Sequence, residues 1–194
     1  DILAAPLTVA ADNKFRPYGA TNPPLTLTYT GFVYGETNDV LATLPTVQSS
    51  AAPTNDVGLY PIVVFGGSDT NYSFSYVTGQ LNVTSAPLTA KADDAVRVYG
   101  ATNSPFTISY TGFVNNEDAG VLDQPPVATT TATPASPVGG YPISLSAATD
   151  NNYTVTVQSG TLTVTQAILV VSVNHSNRLY GRADPPFTGT IFGL

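Results

Sequence analysis

The 194-residue sequence is 42% hydrophobic, charged at only 10% of its positions and carries a formal net charge of −7, with six Lys and Arg, one His and no Cys. Six scattered cations exclude a phosphate-binding surface, which needs clustered Lys and Arg, and the missing Cys excludes disulfides, thiolate chemistry and Cys-ligated zinc. No apolar run approaches the roughly 20 residues of a membrane-spanning helix.

The chain reads as a series of short strands. Leu7 to Ala11 alternates briefly and opens the series, and Leu25 to Thr30 alternates apolar and polar side chains as a half-buried strand does. Glu36 to Leu44 is the one stretch suited to a helical turn, and Pro45 to Ser49 is a weaker strand. Tyr60 to Phe65 is densely apolar, with Pro61 near its start, where a missing N–H is tolerated. Tyr72 to Val77 and Gln80 to Thr84 follow, and the Thr78-Gly79 break between them predicts a hairpin. The pattern returns at Phe106 to Thr111, Tyr141 to Ser146, Tyr153 to Val157 and Thr161 to Thr165. Short strands, frequent turns and no helical period predict an all-β, antiparallel sandwich.

The return is a repeat. Residues 5–84 and 86–165 are identical at 37 of 80 positions at an ungapped offset of 81, and Tyr180-Gly181 marks a third copy in the register of Tyr18-Gly19 and Tyr99-Gly100. The organisation this predicts is 1–85 as a first sandwich repeat, 86–165 as a second and 166–194 as the opening strands of a third. Each full repeat is large enough for one small core. Tyr60 and Tyr141, Ile62 and Ile143, Leu81 and Leu162, and Val83 and Val164 are the predicted core pairs. Only Ser85-Ala86-Pro87 joins the first two copies, too short for a flexible tether, so the modules are expected end to end as a rod with limited bending. Fixed-spacing duplication suits spacers and multivalent arrays better than a catalytic centre. A Thr-rich, acidic, Cys-free composition suits a bacterial exported or surface protein. With no Met present, the natural start and any targeting signal are expected to lie outside this sequence.

Candidate sites recur with the repeat. Asp12, Asp93 and Asn174 precede Arg16, Arg97 and Arg178 by four residues. The spacing suggests a structural polar pair, with Glu36 or Glu117 as the alternative partner for the arginine. A calcium site at the joint, with Asp93 and Asp94 as hard oxygen ligands, is the competing reading; no Asp-x-Asp-x-Asp-Gly loop supports it. Asp69 to Tyr72 and Asp150 to Tyr153 suit side-chain-to-backbone turns, and alternatively sugar binding with the tyrosine stacking. The Tyr-Gly pair suggests a glycine in a backbone conformation other residues resist and a tyrosine whose hydroxyl bonds locally. His175, the sole histidine, aligns with Asn13 and Asp94 and reads as a surface turn. No serine-hydrolase, zinc-protease or phosphate-loop motif is present, so catalytic, cofactor-binding and metal residues are all expected to be none.

Asp12 to Leu25, Tyr29-Thr30-Gly31-Phe32-Val33, Gly58 to Ile62 and Asn71-Tyr72 with Gly79 to Thr84 together resemble the bacterial MBG domain of the YGX type. The second copy matches at Arg97 to Gly100, Tyr110 to Val114, Gly139 to Ile143, Asn152-Tyr153 and Gly160 to Thr165. The resemblance implies Ig-like sandwich modules in tandem within large secreted or surface-anchored, adhesin-like proteins, and it brings no catalytic residues. The third copy departs from it at Asn174-His175 and at Thr188 to Phe192, where Gly189 is expected to weaken the strand. The resulting expectation is a non-catalytic stalk, extracellular or on the cell surface, partnered by neighbouring repeats of the same chain. A glycan- or host-protein-binding array and an accessory module of an extracellular enzyme are the alternatives. Neither nucleic acid nor membrane insertion is expected.

Overall fold

The computed structural model describes residues 2–193. In the first repeat seven strands form two sheets: β1 (Ala5–Ala11), β2 (Lys14–Pro17), β3 (Leu27–Thr30), β4 (Thr43–Ser49), β5 (Gly58–Ser68), β6 (Tyr72–Val77) and β7 (Gly79–Thr84). One sheet has the order β3-β1-β6 and the other β2-β7-β5-β4. Period-two alternation drives the layering. Leu7, Val9 and Ala11 on β1 are buried with Ile62 and Val64 on β5 and Leu81 on β7, in one apolar cluster that also takes in Leu41 and Tyr72. The helical turn expected before β4 is a single 3-10 turn at Asn38–Val40.

Two sequence expectations change here. Each sheet contains one parallel pair, β1 with β6 and β2 with β7, beside its antiparallel ones. The Thr78-Gly79 break is not a hairpin: β6 pairs with β1 in one sheet, and β7 pairs with β2 and β5 in the other. The chain crosses between layers at Thr78. Gly79 is required there because an added Cβ would lie 2.5 Å from the Ala11 carbonyl oxygen. The first path through the repeat, β1 then β2, thus runs alongside the last, β6 then β7, in the same direction. That brings the chain in at one pole of the sandwich and out at the other.

The second repeat reproduces these elements as β8 (Ala86–Ala92), β9 (Ala95–Val98), β10 (Ile108–Thr111), β11 (Ala128–Thr130), β12 (Gly139–Leu145), β13 (Tyr153–Gln158) and β14 (Gly160–Thr165). Their sheet orders are β10-β8-β13 and β11-β12-β14-β9. Packing divides the chain into two compact units. The first runs through Ala90 and adds Tyr110–Pro126 and Ala147–Val157, so it passes over the repeat boundary at Ser85-Ala86. The second comprises Lys91–Ser109, Val127–Ser146 and the chain from Gln158 on. Its cluster buries Ala92, Ala132, Ile143 and Leu162. Of the predicted core pairs, the Ile, Leu and Val positions are buried in both copies. Tyr60 and Tyr141 are half-buried, their hydroxyls donating to the carbonyls of Asp56 and Pro137.

The third copy supplies β15 (Val170–Val173) and β16 (Gly189–Phe192), an antiparallel pair in the register of β1 with β3. Gly189 does not abolish this strand, but every residue of both strands is exposed. No helix among the described residues is long and apolar enough to cross a membrane.

Candidate functional site

The residues that recur most faithfully converge around the Tyr-Gly turn that follows β2. Tyr18 N–H donates to Thr84 O at 2.8 Å and Gly19 N–H to Pro53 O at 3.1 Å. Beneath the turn, Arg16 is 2% exposed. Its Nε donates to Asn22 Oδ1 at 2.7 Å, its Nη2 to Ala52 O at 2.5 Å and its Nη1 to Pro17 O at 3.2 Å, while Asn22 Nδ2 donates to Ala51 O at 2.6 Å. Bonding to neutral acceptors offsets the cost of burying the cation and pins the turn against the 51–53 loop. Arg97 makes the same set, to Asn103, Thr133 and Val98. Arg178 keeps the analogue of the first bond, an exposed ion pair to Asp184 at 2.6 Å, while its Nη1 donates to Arg182 O at 2.8 Å.

The predicted Asp–Arg pair therefore does not form. Asp12 accepts from the hydroxyls of Thr26 and Thr28 across the β1–β3 pair, and Asp93 accepts from Thr107 and Ser109, each at 2.6 Å. These hydroxyls hold both carboxyls below the usual aspartate range, Thr26 having the larger effect on Asp12 and Ser109 on Asp93. Asn174 repeats the clamp with Thr188 and Thr190. Asp94, the other candidate calcium ligand, accepts the Thr161 N–H at 2.8 Å. Among the described residues no group of three or more His, Asp or Glu side chains is placed to hold a metal ion. Asp69 and Asp150 cap their own loops, accepting from the N–H of Asn71 and of Asn152. His175 is exposed.

Neither Glu36 nor Glu117 serves an arginine. Glu117 bridges two phenols: Tyr18 Oη donates to its Oε1 and Tyr153 Oη to its Oε2, each at 2.6 Å. The Tyr18 and Tyr153 rings meet edge to face with centroids 5.6 Å apart. Val114 N–H donates to Tyr153 Oη at 3.0 Å. The hydrogen bond to Glu117 raises the Tyr18 phenol above its ordinary value. Burial, then the bond to Glu117, pushes Tyr153 up to about 12. The Tyr18 hydroxyl therefore bonds not locally but to a residue 99 positions away, in the next repeat.

Further contacts join the same two repeats inside the first unit. Asn152 accepts the Val57 N–H on Oδ1 and donates from Nδ2 to Asp56 Oδ1, both at 2.9 Å. Ser85 Oγ and Thr154 Oγ1 share a hydrogen bond of 2.6 Å. Tyr18 and Val83 are buried in one apolar cluster with Ala86, Leu88, Leu122 and Tyr153. Gly19, at φ +78°, sits so close to the next repeat that a Cβ would fall 2.3 Å from Val114 Cγ2. Phenols bound to a carboxylate and buried among apolar side chains hold two surfaces together; they present neither a nucleophile nor a general base to solvent. The Arg–Asn locks were visible in the repeat alignment, as Asn at +6 from the arginine in two copies and Asp in the third. The Tyr18–Glu117 bond left only the recurrence of its two residue types.

These are all-β modules of an Ig-like sandwich kind, repeated in tandem. The chain matches the MBG domain (YGX type) over residues 7–82 and again over 88–163, and it belongs to that family. No curated protein matches it.

Proposed function

We propose that this chain is a non-catalytic spacer segment of a large bacterial secreted or cell-surface, adhesin-like protein, whose repeats hold another part of that protein at a distance. The observation that carries the reading is the joint. The recurrent residues Tyr18, Gly19, Glu117, Asn152 and Tyr153 bind one repeat to the next. A packed, hydrogen-bonded joint resists bending, which a spacer needs and an isolated binding module does not. Residual dipolar couplings on the 194-residue chain test this: spacer function requires the two sides of the joint to share one alignment tensor. Independent tensors would count against it.

A multivalent glycan- or protein-binding array is the second reading. It is favoured by a shallow groove of about 310 Å³ beside the exposed Phe15 and Leu59, flanked by Lys14, Gln80 and Asn82. The equivalent positions in the second copy are Val96 and Gly140, so repetition does not multiply this surface. Retention of the chain on a glycan array, lost on Phe15→Ser, would move the assignment to binding.

A further inference from the structure

We propose that the cleft bounded by Val33, Tyr34, Glu36, Asn71 and Tyr72 on the first repeat is a socket for the Tyr-Gly turn of another module of this kind. The inference deepens the spacer reading and rests on it. The molecule contains the occupied form of the same surface. At the repeat offset of 81 these residues correspond to Val114, Asn115, Glu117, Asn152 and Tyr153, the group that receives Tyr18, Gly19, Asp56 and Val57.

On the first repeat the surface is open, a cleft of about 610 Å³. Its internal frame is already set. Tyr72 Oη donates to Glu36 Oε2, and Val33 N–H donates to Tyr72 Oη at 3.1 Å, matching the 3.0 Å bond from Val114 to Tyr153. What lacks a partner is the set of atoms that the occupied site uses for its guest. Among the described residues, Glu36 Oε1 accepts no hydrogen bond and the Asn71 side-chain amide makes none, whereas Glu117 Oε1 holds Tyr18 and the Asn152 amide holds Asp56 and Val57. Tyr34 stands at the rim 98% exposed, with a left-handed φ of +55° shared by Asn115.

The occupied copy of the surface names the occupant: the guest there is the Tyr18-Gly19 turn of a neighbouring repeat, with Asp56 and Val57. The guest's turn must carry glycine, because a Cβ there meets the valine of the socket, as Gly19 shows against Val114.

The test joins a second copy of residues 5–81 ahead of Asp1 of the full chain, which sets Ile2 in the register of Val83. The added copy's Val57 amide should exchange about fivefold more slowly than in the same chain carrying Asn71→Ala, the size of one hydrogen bond to a well-placed acceptor. Tyr34 should lose reactivity toward tetranitromethane relative to the 194-residue chain. In that shorter chain Asn71→Ala should leave Tm unchanged. Equal exchange with and without Asn71→Ala, undiminished nitration of Tyr34, or an added copy that fails to fold would each overturn the proposal. The chain's own Val57 amide, held by Asn152, separates the two levels. If it is protected and the added one is not, only the socket falls; if neither is protected, the joint reading falls as well.

Discussion

Tyr18 and Tyr99 occupy the same position in two copies of one motif, with the same backbone setting and different surroundings for the ring. Both follow a short strand, both donate their N–H to a threonine carbonyl at 2.8 Å, and both precede a glycine with positive φ over a locked arginine. Tyr18 is 5% exposed and Tyr99 is 48% exposed. The glycines differ in the same way: a Cβ on Gly19 would collide with Val114, while a Cβ on Gly100 would meet nothing within 4 Å. The turn is thus built by its own repeat, and its tyrosine is buried by the next one. The motif has two purposes, a local fold and a joint, and only the first can be read from a single copy.

The largest effect that should break this comparison falls on the carboxylates. Glu117 holds two phenols and Glu36 holds one. With about 1.5–3 kcal/mol for each charge-assisted hydrogen bond, Glu117→Ala should destabilise the first unit by about 4 kcal/mol and Glu36→Ala by about 2. Urea unfolding of each variant checks this, and equal losses would remove the asymmetry.

The glycines come next. Gly100→Ala should cost about 1 kcal/mol, from backbone strain at positive φ alone. Gly19→Ala adds the overlap with Val114 and should cost about 3 kcal/mol. Thermal unfolding of the two variants measures the difference.

Titration sharpens the comparison from the alkaline side. Tyr153 is pushed up to about 12 against an ordinary value of 10.0, so the unfolded chain releases its proton first as pH rises. The contribution of Tyr153 is therefore complete below about pH 10 and is lost between 10 and 12. Tyr18 and Tyr72 are also raised and act in the same direction. Tyr153→Phe should flatten the fall in stability above pH 10.

The smallest effect is the acid one. Asp12 and Asp93 sit below their ordinary 3.8, so their contribution is present above that pH and fades as pH falls through their lowered values. Asp12→Asn, the residue type found at the same place in the third copy, should reduce the acid slope by a few tenths of a kcal/mol per pH unit, seen in urea midpoints between pH 2 and 5.

The sequence made the layers legible because alternation and burial coincide along β1, β7 and β14. Period two reports which face is buried but is silent on the pairing partner. Thr78-Gly79 therefore read as a hairpin when the strand changes sheets, and the parallel pairs went unseen. The charged residues misled for a related reason. Spacing placed Asp12 near Arg16, but one points across a strand pair to threonines and the other under the turn to backbone carbonyls. Residues four apart on an extended chain lie roughly 13 Å from each other even where they share a face, and the chain passes from one sheet to the other between Asp12 and Arg16. The joint was the least visible part, because its partners lie 95 to 99 residues apart and are polar groups that also suit a loop.

The most direct measurement is a double-mutant cycle on the full chain with Tyr18→Phe and Glu117→Ala, followed by urea unfolding of the first unit. The account predicts a coupling of about 1–2 kcal/mol for this pair, and none for Tyr99→Phe with Glu117→Ala. Additive effects of Tyr18→Phe and Glu117→Ala would contradict the claim that recurrent side chains join one repeat to the next.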